Sequence, residues 1–194
     1  PFILDSSLAR RIWLTDHMGG GSPPDSFSLV YPVIDMEVPT VYTEFIWRTS
    51  HDEDDMDSVT YTLIIDTPDP GIISYNVAFD TSFTLTEPLP DNCQIYWQVI
   101  AEDLERNQTV SQGGYQTFYT NEENENPSSP ILVAPINGSI QSTLTPHFYW
   151  TESLDPDPLD QLIYVLSFEE NNLGTWYDFN TDSNWLVPDL NLSD

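Results

Sequence analysis

The chain has 194 residues, which is enough for one large domain or two of about 100 residues. It carries 32 Asp and Glu against 4 Arg and no Lys, so its formal net charge is -28. This balance excludes a nucleic-acid binder that works by phosphate neutralisation, and it argues against docking on an anionic membrane. Hydrophobic residues at 39% and aromatic residues at 13% are too many for a disordered acidic tail, so we expect a folded protein.

Residues 1–25 form an N-terminal segment ahead of the first regular pattern. The stretch PFILDSSLARRIW lacks the charged-then-apolar order of a signal peptide, and no part of the chain approaches the roughly 20 apolar residues of a membrane span. We therefore expect no membrane insertion. If the protein is exported, its signal lies outside this chain or has been removed.

Residues 26–120 read as a series of short strands. In YTEFIWR, Phe45 and Trp47 alternate with polar or outward positions, and Tyr61, Leu63 and Ile65 alternate in the same way in VTYTLII. Turn-forming stretches rich in Pro, Gly, Asp and Asn separate the strands. Further strands are predicted at 74–79, 82–86, 94–101 and 115–119. The absence of a helical stripe predicts an all-β, antiparallel sandwich.

A linker, NEENENPSSP at 121–130, leads to a second copy of the same module at 131–194. When the chain is shifted by 103 residues, 29–66 fall on 132–169 without a gap and give 12 identities in 38 positions, against roughly two or three expected by chance. A looser match at an offset of 101 pairs Leu85 with Leu186 and Leu89 with Leu190. We therefore predict two tandem sandwich modules.

The module resembles a fibronectin type III module. The resemblance rests on an early strand with Trp47, the leucine of EPLP, the strand IYWQVIAED and a closing TFYT. It implies an immunoglobulin-like sandwich in which Trp47, Leu89 and Tyr96 lie in the core, with Trp150 and Leu190 as their second-copy counterparts. The motif S-x-D-x-D-x-x-D before Y-x-L resembles tandem modules of bacterial secreted and surface proteins.

The second copy is predicted to lack its last strands, because the equivalents of 94–101 and 115–119 would fall beyond Asp194. One explanation is that the chain is a window cut from a longer array. Another is that residues 1–16, which resemble the last strand of a module, complete the second copy of a neighbouring molecule by strand donation.

Two acidic loops suggest calcium. HDEDDMD and LDPDPLD share the spacing D-x-D-x-x-D, and oxygen ligands at alternate loop positions suit this hard cation. The alternative is a solvated loop shaped by Asp-Pro steps, and the glycine and glutamate of an EF-hand are missing. The candidate ligands are Asp52, Asp54, Asp57, Asp155, Asp157 and Asp160.

Catalysis has little support in the sequence. His17, His51 and His147 stand in unrelated contexts, and no nucleophile or phosphate-binding motif accompanies them. The single cysteine, Cys93, cannot form an internal disulfide and is expected to be a semi-buried thiol. We predict no enzyme.

Aromatic residues of the second copy offer a different kind of site. Trp176 and Trp185, with Tyr177, would suit a flat platform for sugar rings, although the same residues would equally fill a core or an inter-module joint. The sequence thus favours an extracellular or cell-surface structural protein, a spacer, adhesin stalk or filament subunit. The alternative is a polysaccharide-binding accessory module of a secreted enzyme.

Overall fold

The computed structural model describes residues 21–53, 58–143, 145–169, 174 and 176–189. These residues are all-β without a helix, and their sheets are consistent with the β-sandwich class. The described part of the chain accordingly holds no helix long and apolar enough to cross a bilayer. The chain divides into two compact units, unit 1 (Pro1–Glu123) and unit 2 (Asn124–Asp194).

Unit 1 contains two sheets. The smaller has the order β1-β3-β6, and the larger has the order β2-β9-β7-β4-β5, with β8 paired to β7. All pairings are antiparallel except that of β2 with β9, which is parallel. The strands are β1 (Leu29–Tyr31), β2 (Met36–Val38), β3 (Glu44–Trp47), β4 (Thr60–Asp66), β5 (Ile72–Ala78), β6 (Ser82–Thr84), β7 (Gln94–Glu102), β8 (Gln108–Val110) and β9 (Gln116–Thr120).

Inward-facing residues of β3, β4, β7 and β9 form the core of unit 1. Phe45 lies at its centre, with its ring 5.0 Å from that of Trp97 and 5.8 Å from that of Phe118 in edge-to-face contacts. Trp47 packs 5.8 Å from Tyr61. Such pairs add to the stabilisation from buried area, because the ring edge of one aromatic meets the face of another.

The predicted alternation in the first two long strands is confirmed. Phe45 and Trp47 are buried on β3, and Tyr61, Leu63 and Ile65 are buried on β4. The reason is the period of two in a strand, which sends every second side chain to the same face. The predicted core positions Leu89 and Trp150 are buried as well, whereas Leu190 lies outside the described residues.

The prediction that Tyr96 lies in the core is wrong. Tyr96 is 41% exposed on β7, while its neighbours Ile95 and Trp97 are fully buried. Adjacent residues of a strand face opposite sides, so Ile95 and Trp97 cannot be buried together with Tyr96 on this sheet. The aromatic partner of Trp47 is therefore Tyr61 of β4 and not Tyr96.

Unit 2 has two small sheets, with the orders β10-β11-β14 and β12-β13. All of their pairings are antiparallel. The strands are β10 (Leu132–Ala134), β11 (Phe148–Trp150), β12 (Tyr164–Glu169), β13 (Trp176–Thr181) and β14 (Trp185–Leu186).

The small sheet of unit 2 repeats that of unit 1 at a spacing of 103 residues. Trp47 N–H donates to the carbonyl of Thr81 at 3.0 Å, and Trp150 N–H donates to that of Asn184 at 3.1 Å. The pairing also corrects the looser match at an offset of 101. Leu186 lies opposite Phe148 just as Phe83 lies opposite Phe45, so Leu186 is the counterpart of Phe83 rather than of Leu85.

A side-chain hydrogen bond recurs at the same spacing. Ser50 N–H donates to the hydroxyl of Tyr61 at 2.7 Å, and Ser153 N–H donates to that of Tyr164 at 2.9 Å. The ring of Tyr164 packs 5.5 Å from Trp150, as that of Tyr61 does on Trp47. The two units therefore share the tryptophan–tyrosine contact and the hydrogen bond that anchors the loop after it.

The large sheet differs between the units. In unit 1, β4 lies between β5 and β7, whereas in the described part of unit 2, β12 pairs with β13 alone. The other edge of β12 therefore keeps backbone donors and acceptors that no described strand occupies. Residues 1–16, predicted as a donor strand, lie outside the described residues.

Candidate functional site

The loop between β11 and β12 carries the acidic motif of unit 2, and two hydrogen bonds hold it to the beginning of the unit. Ser128 N–H donates to the carbonyl of Leu154, and Leu154 N–H donates to the Ser128 hydroxyl, both at 2.8 Å. Because these two bonds are reciprocal, they fix the loop at the position where its aspartates begin.

Three predicted ligands of this loop come together. One carboxylate oxygen from each of Asp155, Asp157 and Asp160 lies within 4.8 Å of the other two. Asp155 Oδ1 accepts a hydrogen bond from Asp157 N–H at 3.2 Å, and Asp160 N–H donates to the Asp157 carbonyl at 3.3 Å. The turn thus brings three like charges together, an arrangement that is unfavourable unless a proton or a cation compensates it.

Asp157 is the buried member of the cluster, with 3% of its surface exposed. Its Oδ2 accepts a hydrogen bond from Glu125 N–H at 3.1 Å. Its Oδ1 is buried and has no hydrogen-bond partner. Buried polar atoms nearly always have a partner, and the neighbouring Glu125 side chain could serve only with a proton between the two carboxyl groups, so this carboxyl needs a proton or a cation.

The environment of Asp157 disfavours its charged form. Burial raises the pKa of Asp157 to about 6, and the neighbouring side chain of Glu125 and the charge of Asp155 act in the same direction. The backbone hydrogen bond from Glu125 opposes this rise. At neutral pH, the ionised carboxylate is therefore held in a place that a proton or a positive charge would stabilise.

The corresponding loop of unit 1 is described only in part. Asp52 is half-buried, and Asp54 and Asp57 lie outside the described residues. Calcium binding there stays a prediction.

The predicted aromatic platform does not assemble as a unit. Trp176 lies on β13 and is 63% exposed, whereas Trp185 lies on β14 of the other sheet and is 50% exposed. Tyr177 follows Trp176 on the same strand, so the two side chains face opposite sides of it. Neither tryptophan fills the core of unit 2.

Trp185 has a different aromatic neighbour. It pairs across β11 and β14 with Tyr149, which is also exposed, and directly opposed residues share one face of a sheet. His147 stacks on Tyr149 with ring centres 6.2 Å apart. This face, His147–Tyr149–Trp185, is here named the aromatic face.

A groove of about 560 Å³ runs beside the open edge of β12. Apolar residues that line it include Pro130, Leu132, Trp150, Tyr164 and Leu166. The counterparts of the last three in unit 1, Trp47, Tyr61 and Leu63, are buried in the core cluster that contains Ile95, Trp97 and Val99 of β7. The groove therefore occupies the side of the unit where a strand of the β7 type would lie.

The histidines and the single cysteine lie in different surroundings. His51 and His147 are both exposed, and His17 lies outside the described residues. Cys93 is a half-buried free thiol, and burial, with a smaller contribution from the charge of Asp91, raises its pKa. A raised pKa leaves less of the nucleophilic thiolate at neutral pH. The absence of enzymatic activity stays a prediction.

No known protein-family model matches the chain, and no curated protein is similar enough in sequence to be recognised as a relative. Sequence similarity therefore points to no function for this chain.

Sequence reasoning missed two residues of these sites. Glu125 lies in the predicted linker, and only the fold brings its backbone and side chain against Asp157. Tyr149 had a detectable signal, because it precedes the predicted core residue Trp150 on one strand and must therefore face the opposite side.

Proposed function

We propose that the protein is a non-catalytic, extracellular structural protein built of tandem fibronectin type III-like sandwiches, serving as a spacer, adhesin stalk or filament subunit. One observation carries the proposal. The same small sheet, tryptophan–tyrosine contact and serine–tyrosine hydrogen bond occur in both units at a spacing of 103 residues. Repetition of one module is the usual construction of proteins whose role is length or multiplicity of attachment.

The charge of the chain supports an extracellular location. A net charge of -28 keeps a protein soluble and separate from other acidic surfaces, which suits a molecule exposed outside the cell. The test is antibody labelling of intact source cells. Labelling without permeabilisation is expected, and labelling that requires permeabilisation would contradict the proposal.

The partner in this proposal is a strand of the β7 type from the same protein array. The groove beside β12 is lined by apolar side chains, and the β12 edge offers backbone groups for strand addition. In unit 1, β7 fills the equivalent position with Ile95, Trp97 and Val99 facing the core. A strand with this alternation would place apolar side chains in the groove and pair its backbone with the free edge of β12.

A peptide with the sequence 94–102 tests this partner. Added to the full chain, it is expected to slow amide hydrogen exchange in β12, because it supplies the second hydrogen-bonding neighbour that β4 already has. A scrambled peptide of the same composition is the control. Equal protection by both peptides, or no protection of β12, would contradict strand addition.

A second candidate function is polysaccharide binding at the aromatic face. The observation that favours it is the pairing of two exposed aromatic residues, Tyr149 and Trp185, on one face of a sheet. Retention of the chain on immobilised polysaccharides is expected to fall in Trp185→Ala. Trp176→Ala is the matched control, since Trp176 is exposed in the same unit but lies on another sheet. Equal retention of the wild type and both variants would contradict this function.

A further inference from the structure

The spacing of the three aspartates fits one ion. Calcium binds oxygen at about 2.3–2.6 Å, so two oxygens on the same ion are at most about 5 Å apart. The oxygens of Asp155, Asp157 and Asp160 lie within 4.8 Å of one another, which meets that limit. Their spacing therefore allows all three to contact a common ion.

The buried carboxylate provides independent support. Asp157 Oδ1 is shielded from water and has no donor, although Oδ2 of the same group accepts the Glu125 N–H. An ionised oxygen buried without a partner is costly, unlike the solvated oxygens of an exposed carboxylate. A cation in contact with Oδ1 would remove that cost.

Glu125 strengthens the same conclusion. Its side chain lies against the Asp157 carboxyl, and two ionised carboxylates can only accept hydrogen bonds. Either a proton lies between them or a cation neutralises them.

We propose that Asp155, Asp157 and Asp160 bind one Ca²⁺ ion, with Glu125 contributing negative charge at its edge. All the candidate ligands are carboxylates, which suits a hard cation and disfavours zinc or copper, whose sites use His or Cys. Ca²⁺ accepts a flexible arrangement of oxygens, whereas Mg²⁺ requires a strict octahedron, so the proposal names Ca²⁺.

The ion would join two parts of unit 2 that are distant in sequence. Asp157 belongs to the loop before β12, whereas Glu125 lies at the first residues of the unit. Calcium would therefore fix the entry of the chain into unit 2. This site does not depend on the proposed structural function, and it would stand if the protein instead bound polysaccharide.

Isothermal titration of the metal-free full chain with Ca²⁺ tests the proposal. We expect binding with a Kd of about 10⁻⁴–10⁻³ M, the range of extracellular calcium modules. Asp157→Asn should bind one Ca²⁺ fewer than the wild type, whether or not the loop of unit 1 also binds. Mg²⁺ should bind at least about tenfold more weakly, because it requires a tighter octahedron.

Two further variants keep the test decisive. Asp160→Asn changes an exposed member of the cluster, so the variant should keep its fold. Its binding of the same Ca²⁺ ion should be weakened or lost. Asp189→Asn removes one charge from an exposed position of unit 2 outside the cluster, and it should bind like the wild type. The proposal is overturned if the wild type binds no Ca²⁺. It is equally overturned if Asp160→Asn and Asp189→Asn both bind like the wild type.

Discussion

Unit 1 and unit 2 place equivalent residues in different environments. Leu63 of β4 is fully buried, whereas its counterpart Leu166 of β12 is only half-buried. The small sheet is the same in both units, so it cannot be the cause. In unit 1, β4 has β7 beside it and β9 beyond β7 in the same sheet, and neither strand has a described counterpart beside β12. A repeated sequence therefore repeats strands and local hydrogen bonds, while burial depends on strands far away in the chain.

Truncating the central side chain of β7 should make the core of unit 1 less completely buried, as the core of unit 2 is. Trp97→Ala is expected to lower the free energy of unfolding of unit 1 by about 3–5 kcal/mol, because it leaves a large cavity against Phe45. Urea denaturation followed by hydrogen exchange of unit 1 peptides measures this. The matched control is Tyr96→Ala at the exposed neighbour, expected to cost less than about 1 kcal/mol. Similar losses for both variants would show that β7 is not oriented as described.

Truncating the equivalent leucines compares the two cores directly. Leu63→Ala should cost about 2–5 kcal/mol in unit 1, and Leu166→Ala should cost clearly less in unit 2, because a half-buried side chain loses less burial. Exchange rates of β4 and β12 amides report the two effects separately. Equal costs would mean that the groove beside β12 is filled in solution.

The shared serine–tyrosine hydrogen bond provides a smaller comparison. Tyr61→Phe should cost about 1–2 kcal/mol, since it leaves the Ser50 N–H buried without its acceptor. Tyr164→Phe should cost less, because the bond to Ser153 is only partly buried. Thermal unfolding with unit-resolved exchange distinguishes the two. A larger loss of stability for Tyr164→Phe than for Tyr61→Phe would contradict this expectation.

The smallest expected effect is the contribution of Asp157 to the pH dependence of unit 2. The folded pKa of Asp157 is raised to about 6 by burial and by Glu125 and Asp155, while the ordinary value is 3.8. The folded state thus binds the proton more tightly, so this stabilisation is present below about pH 4 and is lost as the pH rises through about 6.

Melting of the calcium-free chain between pH 4 and 7.5 tests this effect. Relative to Asp157→Asn, which cannot titrate there, the wild type should lose stability as the pH rises, and saturating Ca²⁺ should counter that loss in the wild type. Glu125, Asp155 and Asp160 remain in both proteins and contribute to both curves. Parallel curves for wild type and variant without calcium would contradict the raised pKa.

Strand periodicity determined a large part of this protein. The alternation around Phe45 and Trp47, and from Tyr61 to Ile65, was sufficient to assign their buried faces, and the 103-residue repeat placed Ser153 and Tyr164 in the same contact as Ser50 and Tyr61. These features depend on neighbours in the chain or on one strand pairing, and such short-range rules can be read from sequence.

Two short strands were not predicted from the sequence, although the three-residue β6 was. β2 and β8 have three residues each, and they exist because β9 and β7 provide their hydrogen-bonding partners. The core assignment of Tyr96, which followed from the fibronectin type III resemblance, was wrong. QIYWQVIAE places apolar residues on both faces, and packing against Phe45 selects Trp97. Where the local pattern is ambiguous, the tertiary contact decides.

The acidic site shows the same division. The spacing of the aspartates was enough to place Asp155, Asp157 and Asp160 in one loop as candidate oxygen ligands. The burial of Asp157 and the hydrogen bond that Glu125, 32 residues earlier, donates to it emerge only in the folded chain. The physical reason is that burial and charge proximity are set by the return of the chain onto itself, which local sequence patterns do not encode.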